Sequence, residues 1–270
     1  MNRVSLWRQS VGKGDDAVVF VHGNSLSSET FRHQISSSLS DRYRCSVIDL
    51  PGHGHSPWAE DASEYTTLAM IEPLIATLGE MNISRAVYVG HSMGGHILMQ
   101  ALERLPAPQG LAIFGAPPLG KPPRFERAFH VEHPILPVLS KADFNEDEIA
   151  RVSVAFAPGD DEARKVIADA IRQADGRLRA PVITSPTLPE YRDEIATLAG
   201  AGIPVAIFQG ELDDLVRADY FSTFSLPHLW GDKIQIIPGA GHSPHLERPD
   251  VFNDLLLAFL GEIHSNGAID

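Results

Sequence analysis

Apolar residues in this chain gather in short, nearly continuous runs rich in β-branched side chains. They are AVVFVHG (17–23), RCSVIDLPG (44–52), RAVYVGHS (85–92), LAIFGAPP (111–118), VAIFQGE (205–211) and IQIIPGAGH (234–242). Runs without polar alternation predict strands covered on both faces. Segments of helical length separate most of them, such as TTLAMIEPLIATLGEM and MGGHILMQALERL. Strand, helix, strand in succession predicts an α/β fold, with a mostly parallel sheet built from right-handed crossovers and flanked by helices. VSLWRQSV, near residues 4–11, is expected to add an antiparallel edge strand.

The alternation breaks between Gly120 and Ile203. Proline-rich LGKPPRFERAFHVEHPILP is followed by NEDEIARVSVAFA, DDEARKVIADAIRQADGR and LPEYRDEIATLAG, which carry helical patterns and no convincing strand. The expected organisation is a core of residues 1–120 and 203–270 with a helical cap over 121–202, lying on the C-terminal edge of the sheet. Within the cap, Val154, Phe156, Val166, Ile167 and Ile171 face either the sheet or a ligand. Taken together they are expected to roof a substrate site, with Phe156 as the substrate-binding contact.

Composition narrows the function. A chain of 270 residues, 43% hydrophobic, is long enough for one such domain with an insertion. Acidic residues outnumber basic ones by 35 to 22, a net charge of −13, and no Lys/Arg cluster stands out, which argues against nucleic acid and suits a neutral small molecule. Cys45 is the single cysteine, so no intrachain disulfide and no zinc-type cysteine spacing exist, and burial in CSVIDL is its expected role. No segment approaches the roughly 18–20 apolar residues of a membrane span, and MNRVSLWRQSVGKG lacks the apolar core of a signal peptide. The expectation is a cytoplasmic monomer or homodimer, away from membranes, that needs no cofactor.

The chemistry begins at Gly90-His91-Ser92-Met93-Gly94. With glycine near 7% of residues, any serine has about a 0.5% chance of sitting in G-x-S-x-G, so the motif alone is weak. Its setting strengthens it, because the strand AVYV runs in and the helix GGHILMQALERL runs out, as a nucleophile elbow requires. Such a turn strains the serine backbone and presses neighbouring chains together, which Gly90, Gly94 and Gly95 permit. The helix N-terminus also aims N–H groups at the place where an oxyanion would form.

A serine nucleophile needs a base and the base needs an orienting acid. Glu211-Leu212-Asp213-Asp214 follows one strand and Ala240-Gly241-His242-Ser243-Pro244 the next. Ser92, then an acid, then His242, each at a strand's C-terminal end, is the α/β-hydrolase order. Asp213 is preferred as the acid because the third position after the strand-ending glycine is where this arrangement turns its acid inward, with Asp214 next. HGNSLSS at 22–28 would bring Gly23 close to the nucleophile, so the backbone N–H groups of Asn24 and Met93 are the expected oxyanion hole. Asn24 is also a candidate substrate contact through its amide. His22 is expected to brace its loop, His91 and His96 to pack around the elbow, and His245 carries no assignment. His53-Gly54-His55 matches the first two ligands of an HxHxDH metal cluster, but Pro57 and Trp58 stand where Asp and His are needed, so a structural turn and no metal site is expected.

Taken together, HGNS at 22, DLPGHGHS at 49, GHSMGG at 90, GELDD at 210 and GAGHSPHLERP at 239 resemble the α/β-hydrolase superfamily over essentially the whole chain. The resemblance implies Ser92, Asp213 and His242 as a triad, and the short N-terminus leaves room for seven of the family's usual eight strands. HGNS, GGHI at 94, GAPPLG at 115, DGR at 175 and LW at 229 followed by AGH at 240 look like the metal-independent N-acyl-homoserine lactonases of this fold, which open the lactone of bacterial signals. The elbow lacks the bulkier aromatic expected before the serine, and residues 121–174 match poorly. Haloalkane dehalogenases share an HGN opening but use a carboxylate nucleophile, which Ser92 excludes. The function expected is therefore hydrolysis of a small ester or lactone through an acyl-enzyme, and most specifically quorum quenching by an N-acyl-homoserine lactonase. A general carboxylesterase, a carbon–carbon bond hydrolase and a non-catalytic ligand-binding receptor are the alternatives.

Overall fold

The computed structural model describes residues 5–266, so Val4, where the expected edge strand began, lies outside them. Seven strands form one sheet: β1 (Arg8–Val11), β2 (Ala17–Val21), β3 (Arg44–Ile48), β4 (Ala86–His91), β5 (Pro108–Phe114), β6 (Val205–Gly210) and β7 (Gln235–Ile237). Their order is β1-β3-β2-β4-β5-β6-β7. Only β1 runs antiparallel, against β3, and it is the partly exposed edge strand that the sequence led us to expect.

Every residue of β2, β4 and β6 is buried, which is why these strands read as unbroken apolar runs. Successive side chains point to opposite faces. Val19, Val21, Tyr88, Ile113 and Ile207 pack on one side with helices α1 (Ile71–Gly79) and α2 (Met93–Ala101). Val18, Phe20, Val89, Phe114 and Phe208 pack on the other against the C-terminal helix, whose Phe252, Leu256, Phe259 and Leu260 are fully buried. Parallel register, with Val21 opposite Gly90 and His91 opposite Phe114, brings the strand ends to one edge of the sheet. The loops after β2, β4, β6 and β7 all leave from that edge.

Between β5 and β6 lies a helical insertion whose longer members are α3 (Glu146–Phe156), α4 (Asp161–Gln173), α5 (Arg179–Thr184) and α6 (Glu194–Gly200). The NEDE sequence that opens α3 is a capping box, with Asn145 and Glu148 each accepting the other's backbone N–H. Asp160 caps α4 by accepting from the N–H groups of Glu162 and Ala163. The insertion is tied to the core by Tyr65, whose hydroxyl donates to Asp175 at 2.7 Å, and by α6, whose Leu198 joins the main core beside α2.

The expected roof needs correction. Val166, Ile167 and Ile171 of α4 pack with Ile149 and Val152 of α3, and Val154 points outward at 47% exposed. Two amphipathic helices must first bury their apolar stripes against each other, and that pairing uses these side chains. Phe156 alone of the five reaches the cavity described below. No helix of the described residues is long and apolar enough to cross a membrane.

Candidate active site

Ser92 stands between the end of β4 and the start of α2 with φ 50° and ψ −118°. A non-glycine residue held there costs on the order of 1–3 kcal/mol, so its surroundings must impose it. Its N–H donates to the Phe114 carbonyl at 2.8 Å, and its carbonyl accepts from the N–H groups of Gly95 and His96. Bare glycines make room for the turn: a Cβ on Gly90 would sit 2.6 Å from Gly95 Cα, and one on Gly94 2.3 Å from the Val21 carbonyl oxygen.

The loop after β2 comes in from the side. A Cβ on Gly23 would lie 3.1 Å from Ser92 Cβ, so the chain passes directly beside the serine. His22 braces this loop, accepting the Leu50 N–H on Nε2 and donating from Nδ1 to the Gly23 carbonyl. His53 does the same one layer away, accepting the Ser25 N–H and donating to the Pro51 carbonyl. Burial pushes both imidazoles below their ordinary pKa, and each stays neutral as these bonds require. The backbone N–H groups of Asn24 and Met93 have no acceptor among the described residues, and both residues line the cavity with Ser92. They can receive an oxyanion. Asn24 Oδ1 accepts from the Ser25 hydroxyl at 3.0 Å, which fixes the amide at the cavity wall.

On the other side of the serine, His242 Nδ1 lies 3.0 Å from Asp213 Oδ2, with both side chains almost wholly buried. Asp213 Oδ1 accepts from the N–H groups of Leu215 and Val216, so the carboxylate is held at both oxygens. Asp214 turns outward to His133, and Glu211 accepts the Gly239 N–H at the surface, so neither meets His242. The His242 ring leans on Phe156 at 5.1 Å, and its carbonyl accepts from His91 Nε2 at 2.9 Å. Ser92 Oγ and His242 Nε2 are not hydrogen-bonded; contacts of this kind commonly tighten only when substrate is bound.

Ser92 and His242 open into a cavity of about 330 Å³. Its wall includes Phe125, Phe129, Leu139, Phe156, Val182 and Ile183 from the insertion, and among the described residues no Asp, Glu, Lys or Arg side chain lines it. His55 and Asp49 close a tight turn elsewhere: Asp49 accepts from the N–H groups of Ser28 and His55, and a Cβ on Gly54 would strike its carboxylate at 2.3 Å. Among the described residues no three His, Cys, Asp or Glu side chains are grouped to hold a metal ion. His245 is buried among Phe31, His91 and Phe114.

His91 packs under the elbow, stacked on Phe114 at 4.8 Å, but His96 departs from the expectation. It lines the cavity, with Nδ1 2.9 Å from Oε2 of the fully buried Glu194. The place of His96 in the first turn after Ser92 was the available signal. Nothing in the sequence pointed to Glu194 as its partner.

Comparison with known proteins fits this geometry. The model of the alpha/beta hydrolase family matches residues 18–255. A pimeloyl-[acyl-carrier protein] methyl ester esterase of Stenotrophomonas maltophilia is 27% identical over 249 residues, covering 88% of this chain and 90% of that one. An epoxide hydrolase of Caballeronia sordidicola is 40% identical over 104 residues, but this match spans 38% of the chain and 31% of that protein's length. Among solved structures, a mutant of the N-acyl homoserine lactonase AidH complexed with N-hexanoyl homoserine lactone superposes with a TM-score of 0.88 at 25% identity, covering 97% of this chain and 96% of that one. The same lactonase complexed with N-butanoyl homoserine gives 0.87 at 26% identity, covering 96% and 93%.

Proposed function

Because the chain belongs to the alpha/beta hydrolase family, we propose that it is a serine hydrolase that opens uncharged acyl lactones, with N-acyl-homoserine lactones as its substrates. The observation that carries this reading is the cavity: a nucleophile elbow and a His–Asp pair at one end, and an apolar, charge-free wall for the rest of the ligand. A short acyl chain on a neutral lactone matches that division of polarity. The similarity to AidH, whose structures hold N-hexanoyl homoserine lactone and N-butanoyl homoserine, supports it.

In this mechanism His242 Nε2 takes the proton of Ser92 Oγ as the oxygen attacks the lactone carbonyl carbon. Asp213 holds the imidazole in the tautomer that leaves Nε2 free and stabilises the imidazolium. The N–H groups of Asn24 and Met93 receive the oxyanion, at the N-terminus of α2. Collapse of the tetrahedral intermediate breaks the ring C–O bond, and His242 returns the proton to the departing alkoxide. The alcohol remains tethered to the acyl group, so the acyl-enzyme must be attacked by water faster than the ring re-closes. His242 activates that water, and N-acyl-homoserine leaves, which would silence a signal carried by the intact lactone. Residues 121–202 act as the cap that selects the acyl group.

Each methylene buried against the wall contributes about 0.8 kcal/mol. kcat/KM is therefore expected to rise with acyl length until the cavity is full, and mass spectrometry should show the gain of one water. Cleavage of p-nitrophenyl esters without cleavage of any acyl-homoserine lactone would leave an esterase and overturn the lactonase reading. Absence of labelling by a fluorophosphonate would overturn the serine hydrolase itself.

A further inference from the structure

A second histidine–carboxylate pair borders the same cavity. Glu194, fully buried at the start of α6, accepts from the Tyr191 hydroxyl at 2.6 Å, the Leu119 N–H at 2.8 Å and the Gln100 amide at 3.2 Å. A carboxylate ringed by donors is an acceptor toward its remaining neighbour, so His96 Nδ1 carries the proton that it shares with Glu194. In the neutral imidazole, that tautomer leaves Nε2 with a lone pair. Nε2 has no partner among the described residues, on a ring that lines the cavity.

His96 also stands next to the chemistry. Its N–H donates to the Ser92 carbonyl at the start of α2, and both side chains line the same cavity. A group that reaches His96 while its carbonyl meets Ser92 is therefore attached close to the scissile carbon. Resting on the function proposed above, we propose that His96 is a positioning residue whose Nε2 accepts a hydrogen bond from an N–H donor on the carbon next to the scissile carbonyl. The substrate class becomes α-acylamino lactones and esters. The amide of an acyl-homoserine lactone is such a donor, and a simple alkyl lactone has none.

The rest of the cavity sharpens this selection. Its wall is apolar, so a substrate N–H brought into it without an acceptor would lose its water and gain nothing in return. A site that supplies the acceptor prefers the donor-bearing substrate. A site that supplies none disfavours it.

The test uses isosteric pairs that differ only in N–H against O. One pair is N-hexanoyl-homoserine lactone and α-hexanoyloxy-γ-butyrolactone, with ring opening scored by product mass. The other is the p-nitrophenyl esters of N-hexanoylglycine and hexanoyloxyacetic acid. In the wild type the N–H member of each pair should have the higher kcat/KM, by about five- to tenfold, as one hydrogen bond supports. His96→Leu should bring that ratio to about one, and His96→Gln, which keeps an acceptor oxygen, should restore part of it. A merely structural role would lower both members together and leave the ratio intact, and that result overturns the proposal. So does a wild-type ratio near one in both pairs, which decides the matter even if His96→Leu fails to fold. If neither lactone is opened while the glycine ester still shows its N–H preference, the lactonase reading falls and the role of His96 stands.

Discussion

The sheet-edge wall of the cavity and the wall supplied by the insertion are built by different means. At the sheet edge, position is set by backbone: a strained Ser92 pinned to Phe114, loops held by His22 and His53, and glycines at which no Cβ fits. Across from it, the insertion contributes side chains from short helices and loops, and two of them, Val131 and Ile183, are 48% and 39% exposed at the mouth. Backbone hydrogen bonds fix reacting groups to within tenths of an ångström, whereas an apolar wall needs only the right volume. Chemistry and selectivity are thereby separable. Apart from His96, whose partner Glu194 comes from the insertion, a change in the first wall should alter kcat for every substrate, and a change in the second should reorder substrates.

The largest expected effect lies in the first wall. Ser92→Ala should lower kcat by about 10⁵- to 10⁶-fold with the fold intact by circular dichroism, leaving only binding and the oxyanion donors at work. Near-full turnover in that variant would break the comparison at its root. Asp213→Asn should lower kcat by about 10⁴-fold, because the amide holds His242 in the wrong tautomer, while Asp214→Asn changes it by less than about twofold. The opposite ranking would move the acid by one residue.

In the second wall, Ile183→Trp should narrow the mouth and lower kcat/KM for the longest accepted acyl chain by about tenfold, with the shortest little affected. A uniform loss over all chain lengths would mean that this wall, too, serves the chemistry. Stability should also separate the two regions. His22, His53, His91 and His245 all belong to the sheet-edge side, and burial lowers each below the ordinary value of 6.5. The unfolded chain binds protons that the folded chain refuses, so stability present above pH 6.5 is lost on acidification below it, by up to about 1.4 kcal/mol per pH unit for each ring that stays neutral. Urea midpoints measured at pH 7.5 and 5.5 should fall accordingly, and equal midpoints would contradict burial of neutral rings. The smallest expected effect is that of EDTA, which should leave activity unchanged; loss restored by zinc would point to a metal site that these residues do not form.

Local order made much of the first wall legible. A strand must end where its apolar run ends, and a parallel sheet sends every such end to one edge, so Ser92, His242 and the acidic pair Asp213-Asp214 could be grouped from strand ends and motif order. The choice between Asp213 and Asp214 rested on a loop geometry that spacing only suggests, and here it is Asp213 that faces His242. The roof was harder to read. Amphipathic stripes in α3 and α4 look the same whether they face a ligand or each other, and Val166, Ile167 and Ile171 went to the helix pair.

The sequence by itself determined the sheet, the insertion and the elbow, because periodicity and glycine placement are local properties that backbone sterics convert directly into shape. Only the tertiary structure decided what the insertion turns toward the serine. Glu194 meets His96 across 98 residues of chain because α6 docks on α2 in the core, and no pattern along either segment encodes that meeting. Long-range packing of side chains is set by how volumes fit once all the elements are in place. For that reason the reacting groups can be read from the chain, and the groups that choose the substrate cannot.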